Sequence, residues 1–314
     1  MINFFIELYG SIRNKNAFLT SIRFYSVERI LVRVVANIIL PIYLGLTANR
    51  EEYQLTPSTD KDKRIIVSLT SFPARIKKVW IVIECLLRQT YPPDKIILWL
   101  AKEQFEGRNT LPNNLLDLEK RGLEIVFCDE DLRSHKKYYY AIKKFSKDIL
   151  ITVDDDLIYP TILISRLLDL HKKHPGTICC DRAHRITKEG SNLKSYTEWE
   201  TLHKAEGPSF KLFFTSGGGT LFPPGALSKE ALNKKIFMVH CKYADDIWLN
   251  VMAQMNDTKI VKSDAYSTML PIIGIGGITL TSMNVDQGFN DKQLNSIRKY
   301  YANSNTNTLK NIYS

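Results

Sequence analysis

Several common signatures are missing from this sequence, and their absence narrows the classes of protein that it can encode. The five cysteines among 314 residues have neither the spacing of a zinc ribbon nor that of a disulfide framework. Most of them lie in apolar runs, which predicts reduced core residues in a reducing compartment. There is no helix-turn-helix, zinc-finger or RNP-type pattern, so we expect no nucleic acid partner despite the net charge of +10. That charge favours a nucleotide diphosphate or an anionic membrane surface instead.

Long apolar runs are also scarce. The most apolar stretch, Val34 to Leu46, is shorter than the ~20 residues that a membrane-spanning helix needs, and Pro41 and Gly45 interrupt it. It lies too far from Met1 for a signal peptide, and no small-residue cleavage site follows it. Because arginines flank it, residues 1–50 are predicted to be a basic amphipathic segment on the inner face of the cell membrane of a cytoplasmic protein. Packing on the protein's own core or on another subunit is the alternative.

Strand-like and helical patterns alternate from residue 64 onward, which predicts an α/β fold with a mostly parallel central sheet flanked by helices. Buried strands are predicted at Arg64–Thr70, Lys95–Leu100, Leu123–Cys128 and Ile149–Val153. Helices are predicted at Ile76–Arg88, Leu115–Arg121, His135–Phe145 and Thr161–His171. After about residue 177 the pattern loosens, with short strands at Ile178–Cys180 and Lys211–Thr215 and a helix at Ala244–Met255.

Three consecutive carboxylates, Asp154, Asp155 and Asp156, follow the fourth predicted strand. They repel one another and need a cation, and ligands bind at the carboxyl ends of strands in α/β sheets. The i, i+2 spacing lets Asp154 and Asp156 turn toward one ion, and an oxygen-only site suits Mn²⁺ or Mg²⁺. Asp155 would face a sugar or ribose. The alternative is an acidic turn that holds no ion.

A second acidic pair, Asp245 and Asp246, opens the last predicted helix about 90 residues later. One of these carboxylates can remove a proton from a hydroxyl group, although acids at a helix start also act as caps. The loop Ser216–Gly219 can bring backbone close to a ligand, or it is a flexible connection. Lys137 and Arg75 can contact phosphate, or they belong to a solvated basic face.

Five segments together resemble bacterial glycosyltransferases of the GT-A fold, close to the family 2-like enzymes of capsule and lipopolysaccharide assembly. They are Ile66–Arg75, Lys137–Ala141, Ile151–Pro160, Gly217–Gly225 and Tyr243–Leu249. This resemblance spans residues 64–250 and implies a GT-A-like sheet behind an N-terminal helical extension. It also implies that Asp154–Asp156 is the DxD metal motif of that fold, and that Asp246 or Asp245 is the base of an inverting enzyme.

The same resemblance implies a nucleotide site. Thr70, Phe72 and Arg75 would lie along the nucleotide, with Asp129 near its base, and Lys137 and Asp155 would complete the donor site. The expected donor is a nucleotide-diphosphate sugar, a UDP-sugar in the first place, and the expected acceptor is a carbohydrate or a lipid-linked oligosaccharide.

The chain then divides into an N-terminal segment with its linker (1–60), a nucleotide-sugar-binding half (61–177) and an acceptor-binding half with the C-terminal tail (178–314). Two other functions compete with a hexosyltransferase. A nucleotidyltransferase needs a Gly-rich, basic loop after the first strand, whereas the turn here, Ser71–Arg75, contains no glycine. A membrane-associated sugar-binding protein without catalysis leaves two separate acidic sites unexplained.

Overall fold

The structure, a computed structural model, describes residues 1–12, 23–48, 53–55, 63–274 and 288–303. Its α-helices are α1 Ile2–Ser11, α2 Phe24–Leu46, α3 Val79–Leu87, α4 Asn113–Leu116, α5 Lys136–Lys144, α6 Leu163–Lys173, α7 Lys234–His240, α8 Asp245–Met255 and α9 Phe289–Asn303. Its strands up to the middle of the chain are β1 Ile65–Thr70, β2 Lys95–Ala101, β3 Leu123–Cys128, β4 Ile149–Thr152, β5 Leu157–Ile158, β6 Ile178–Cys180, β7 Ala183–Arg185 and β8 Lys188–Glu189. The later strands are β9 Asn192–Leu193, β10 Glu200–Thr201, β11 Glu206–Ser209, β12 Leu212–Phe214, β13 Thr220–Phe222, β14 Ile260–Lys262 and β15 Leu270–Pro271.

Eight strands form the central sheet in the order β11-β14-β6-β13-β4-β1-β2-β3. The pairs β1–β2, β1–β4, β2–β3 and β14–β6 are parallel, whereas β13 runs antiparallel between β4 and β6. Four of these strands come from residues 61–177 and four from residues 178–314, and the two groups meet at β4 and β13. The predicted division of the chain therefore falls inside one continuous sheet.

The sheet is buried on both faces because its strands are apolar at successive positions. Ile65, Val67 and Leu69 of β1 pack into one hydrophobic cluster, while Ile66 packs into the other, on the opposite face. Helices α3 and α6 cover the first face, and α5 and α8 cover the second. Buried runs of this kind favour parallel strands, which need cover on both faces.

The predicted fold is confirmed: the chain is α/β, with a mostly parallel, GT-A-like central sheet flanked by helices. All four predicted early strands form within one residue of their expected ends. The helix predicted at Leu115–Arg121 is instead a short α-helix followed by a 3₁₀ turn, which ends at Gly122 with φ of 106°. The five cysteines are buried and free, as expected for reduced core residues.

The sequence predicts that the apolar stretch of the N-terminal segment is interrupted and too short to span a membrane, and this expectation is wrong. α2 runs for 23 residues through Pro41 and Gly45, and among the described residues it is the one helix long and apolar enough to cross a membrane. Proline removes one intrahelical hydrogen bond, but Leu40 and Leu44 on either side are fully buried and hold the helix together there. The predicted linker ends the N-terminal segment (1–60), and of residues 51–60 only Tyr53–Leu55 lie within the described residues.

Candidate active site

The candidate site lies where the two halves of the sheet meet. Thr220 of β13 pairs with Thr152 of β4, and the two strands are antiparallel. Because of this register, the chain that leaves β4 and the chain that enters β13 lie side by side. The Asp154–Asp156 run therefore faces the Ser216–Gly219 loop, at the carboxyl end of β4, where α/β proteins bind their ligands.

Contact between these two segments is close enough to require glycine. A Cβ atom on Gly217 would lie 1.7 Å from Oδ2 of Asp154 and 2.1 Å from its Cγ. Tyr159 stabilises the same contact. Its hydroxyl accepts a hydrogen bond from the Asp154 N–H at 2.8 Å and donates one to the carbonyl of Gly217. The position of the Asp154 carboxylate is thus set by a loop more than 60 residues away.

A Gly217→Ala substitution tests this contact. The added methyl group cannot coexist with the carboxylate of Asp154, so the side chain must move out of the site. We expect a loss of activity of at least tenfold together with a lower melting temperature, measured by enzyme assay and calorimetry. Gly45→Ala is the matched control, because nothing lies within 4 Å of a Cβ at that position. Full activity in the Gly217→Ala protein would show that the location of Asp154 is not critical.

Arg75 neutralises one side of the acidic run. Its Nη1 atom lies 2.7 Å from Oδ1 of Asp155 and 2.8 Å from Oδ2 of Asp156. Ser71 donates a second hydrogen bond, of 2.6 Å, to Asp155, whose side chain is only 6% exposed. Asp155 therefore positions Arg75 from inside the protein, whereas Asp156 keeps 30% of its side chain exposed and faces the open edge of the site.

Lys137, at the start of α5, links the two acidic clusters. Its Nζ atom lies 2.6 Å from Oδ1 of Asp154 and 3.0 Å from Oδ2 of Asp245, and its side chain is 3% exposed. Burial alone would lower the pKa of Lys137, but the carboxylates of Asp154 and Asp245 outweigh it, so the pKa is raised and the ammonium stays charged. The sequence left open whether Lys137 contacts a phosphate or belongs to a solvated basic face; in the structure it is buried and pairs with two carboxylates.

The acidic pair at the start of α8 divides into two different environments. Ser216 binds both members, through its N–H to Oδ1 of Asp246 at 2.7 Å and through its hydroxyl to Oδ2 of Asp245 at 2.8 Å. Burial raises the pKa of Asp245, but the charge of Lys137, together with His135 and hydrogen bonds from serine hydroxyls, outweighs it and lowers that pKa to about 2. Burial, followed by the charge of Asp245, raises the pKa of Asp246 to about 7. A carboxylate with this pKa suits a general base near neutral pH.

Negative charge is in excess at the site. In the described part of the chain, the ion pairs of the five carboxylates at this site are made by two side chains, Arg75 and Lys137. Burial, and then the charge of Asp154, raises the pKa of Asp156 to about 7. The side chains of Asp154 and Asp156 are 41% and 30% exposed, so their oxygens are open to a ligand. A further cation would relieve this repulsion.

This donor set fits a divalent ion that completes its coordination with substrate. No group of three or more His, Cys, Asp or Glu side chains in the described part of the chain is arranged to hold a metal by itself. Mg²⁺, and Mn²⁺ with its similar oxygen preference, need only one or two carboxylates when substrate phosphates supply other ligands. Asp154 and Asp156 meet that requirement.

The predicted nucleotide-side residues are spread along the same edge of the sheet. Thr70 ends β1 and donates a 2.8 Å hydrogen bond to the Trp99 carbonyl. The Phe72 ring lies 5.3 Å from the guanidinium carbon of Arg75. Asp129 follows β3, where its side chain is 84% exposed and pairs with Lys102 at 2.5 Å. Phe72 is the one of these three residues that is connected to the acidic cluster, because its ring packs against Arg75, which pairs with two of the carboxylates.

Three contributors, Ser71, Tyr159 and Arg182, escaped the sequence patterns, and the loop that contains Ser216 was noticed without the role of that serine. Ser71, Ser216 and Tyr159 act by hydrogen bonding to the acidic residues. Arg182 follows β6, and a Cβ on Gly218 would lie 2.7 Å from its Cβ. Its Nε atom is buried with no hydrogen-bond partner among the described residues. The triple glycine is the one local sequence signal for this arrangement, because glycine lets the backbone approach a neighbouring side chain closely.

The fold and this arrangement of acidic residues define a GT-A-like α/β protein. The family described as Glycosyl transferase family 2 matches residues 74–234, about half of the sequence. The chain belongs to this family of glycosyltransferases.

Two solved structures that match this chain differ widely from it in sequence. A mannosyltransferase, PcManGT from Pyrobaculum calidifontis in complex with GDP-Man and Mn²⁺, is 11% identical, with a TM-score of 0.43 over 87% of this chain and 74% of that one. A 4-diphosphocytidyl-2C-methyl-D-erythritol synthase is 10% identical, with a TM-score of 0.42 over 67% of this chain and 93% of that one. No curated protein matches the sequence.

Proposed function

We propose that this glycosyltransferase moves a hexose from a UDP-sugar to a carbohydrate or lipid-linked oligosaccharide acceptor in surface polysaccharide assembly, with inversion at the anomeric carbon. The observation that supports this proposal most strongly is that the carboxylates of the site lie in two different environments. Asp154 and Asp156 form an open acidic edge, while Asp246, with its pKa raised to about 7, lies across the Ser216–Gly219 loop from them.

On the donor side, Asp154 and Asp156 would hold Mn²⁺ or Mg²⁺. A bound ion of this kind stabilises the negative charge that develops on a diphosphate leaving group. Arg75 is held at the same edge by Asp155, so its guanidinium is ready to orient a diphosphate without first losing side-chain entropy. We assign the nucleoside to the edge formed by Thr70, Phe72 and Asp129.

On the acceptor side, Asp246 accepts the proton of the attacking hydroxyl group. The hydroxyl oxygen forms the new bond to the anomeric carbon as the bond to the diphosphate oxygen breaks, and the proton goes to Oδ of Asp246. Asp245 is unsuited to this role, because its pKa is lowered to about 2 by Lys137 despite burial. We therefore assign Asp245 to positioning Lys137 and Ser216, and residues 178–314 to the acceptor.

A panel of nucleotide sugars tests the proposal. We expect one UDP-sugar to raise the melting temperature when Mn²⁺ is present and to release UDP slowly in the absence of acceptor. GDP- and CMP-sugars and buffer with a chelator serve as controls. Release of pyrophosphate from a nucleoside triphosphate and a sugar phosphate would identify a nucleotidyltransferase instead. Failure of every nucleotide sugar to bind would contradict the proposal altogether.

A further inference from the structure

Exposed apolar side chains are concentrated at the N-terminus. Of the fifteen large hydrophobic side chains that are exposed among the described residues, twelve belong to residues 1–46. Six of them recur every three or four residues along one side of α2, and we call this stripe the outer face: Phe24, Val27, Leu31, Val34, Ile38 and Ile42. Each is between 40% and 62% exposed. Such a stripe on a single protein marks an interaction surface.

The opposite side of α2 is fixed to the α/β domain. Ala36, Leu40 and Leu44 are fully buried there. Asn37 donates a 3.0 Å hydrogen bond to the Pro271 carbonyl and accepts one of 2.8 Å from the N–H of Ile273. Further along the helix, the Leu44 carbonyl accepts a hydrogen bond from Arg88 at 3.0 Å. Because residues 36–44 of α2 are attached to the α/β domain, this part of the helix cannot enter a bilayer while these contacts last.

We propose that the outer face of α2 lies flat on an anionic lipid bilayer. Charge favours lipid over a second copy of the chain as the occupant. Residues 1–50 contain six basic and two acidic residues, so two such segments would repel one another across a dimer interface. The net positive charge of this segment of sequence attracts an anionic leaflet, and an apolar helical face within a basic segment binds at the lipid interface.

This placement brings the candidate active site to the membrane. Asn37 of α2 binds Pro271 in β15, and β15 pairs with β5, which begins directly after Asp156. The N–H of Ile272 also donates a 2.8 Å hydrogen bond to the Asp156 carbonyl. Two short links therefore connect the docking helix to the acidic edge. If the proposed function holds, an acceptor carried on a lipid can reach this edge without leaving the bilayer.

Vesicle flotation of the full chain tests the surface. We expect the protein to float with phosphatidylcholine vesicles that contain about one-third phosphatidylglycerol, and less with phosphatidylcholine alone. In a Val27→Gln/Leu31→Gln/Ile38→Gln protein, the fraction that floats with vesicles should fall to about one-tenth of the value for the unchanged protein or below it, since three apolar side chains no longer enter the lipid. Val239→Gln is the matched control, because Val239 is 75% exposed but lies on α7. We expect it to float like the unchanged protein.

Other measurements separate the competing outcomes. An unchanged melting temperature in the triple variant would show that it is folded. Equal flotation of the triple variant, or no flotation of the unchanged protein, would overturn the proposal. So would a dimer in sedimentation analysis that the triple variant loses, because a second copy would then cover the face. Retention in membranes after alkaline carbonate extraction would contradict the flat orientation.

UDP release from UDP-sugars in solution is measured in parallel. We expect it to be the same in the unchanged protein and the triple variant. If release is missing in both while flotation follows the expected pattern, the proposed function fails and the docking surface stands.

Discussion

An Asp246→Asn protein is expected to transfer sugar about 10²–10⁴-fold more slowly than the unchanged enzyme, the usual contribution of a general base. Asparagine keeps the shape of the side chain and an oxygen that can accept the 2.7 Å hydrogen bond from the Ser216 N–H. It cannot accept the proton of the acceptor hydroxyl. The kcat for transfer should therefore fall, while the affinity for the donor changes little.

The assignment of Asp246 as the base also determines how the rate of transfer should change with pH. Burial, and then the charge of Asp245, raises the pKa of Asp246 to about 7, so the carboxyl group is protonated and inactive below that pH. At a saturating Mn²⁺ concentration, where metal binding no longer changes with pH, the rate of the unchanged enzyme should rise with pH through about 7, and this rise should be missing in Asp246→Asn. Asp117→Asn is a suitable control, because Asp117 is 64% exposed and pairs with Lys120 at the surface, away from the acidic cluster. A normal rate in Asp246→Asn would exclude it as the base.

Replacement of Asp156 by Asn is expected to lower the rate of transfer by about three orders of magnitude, because electrostatic stabilisation of a leaving group is a large contribution. Asp156 is the partly exposed carboxylate beside Arg75, and asparagine at this position keeps an oxygen but removes one of the two negative charges assigned to the cation. Titration calorimetry with Mn²⁺ and UDP should show weaker cation binding in this variant. Asp117→Asn again serves as the control.

Metal binding should also depend on pH. Burial, and then the charge of Asp154, raises the pKa of Asp156 to about 7, so a proton competes with the cation below that value. The affinity for Mn²⁺ should increase as the pH rises through about 7. Near-normal transfer by Asp156→Asn, with unchanged Mn²⁺ affinity, would refute the metal assignment.

The strands and the acidic clusters could be predicted because their signals are local. The apolar run of β4 stops at three carboxylates, and β3 begins directly after a glycine that ends a helix. Both patterns lie within a few residues of sequence. The resemblance to family 2 glycosyltransferases rests on the same local segments, and the family match over residues 74–234 agrees with it.

The contacts within the site could not be predicted, because they depend on register between distant segments. Gly217 meets Asp154 only because β13 is antiparallel to β4. Lys137 looks like a surface lysine at the start of a helix, and its pairing with both Asp154 and Asp245 arises from the packing of α5 against the sheet. α2 begins ten residues before its most apolar stretch, in a part of the helix where Arg29 donates a hydrogen bond to the distant Ile12 carbonyl.

The antiparallel strand between β4 and β6 has a thermodynamic consequence. β13 comes from the second half of the chain, yet it hydrogen-bonds to the first half along its whole length through Thr220, Leu221 and Phe222. Neither half can melt without exposing an unpaired strand edge of the other. The catalytic machinery and the hydrophobic core are therefore expected to be lost in a single cooperative transition, with no stable half-enzyme on the way.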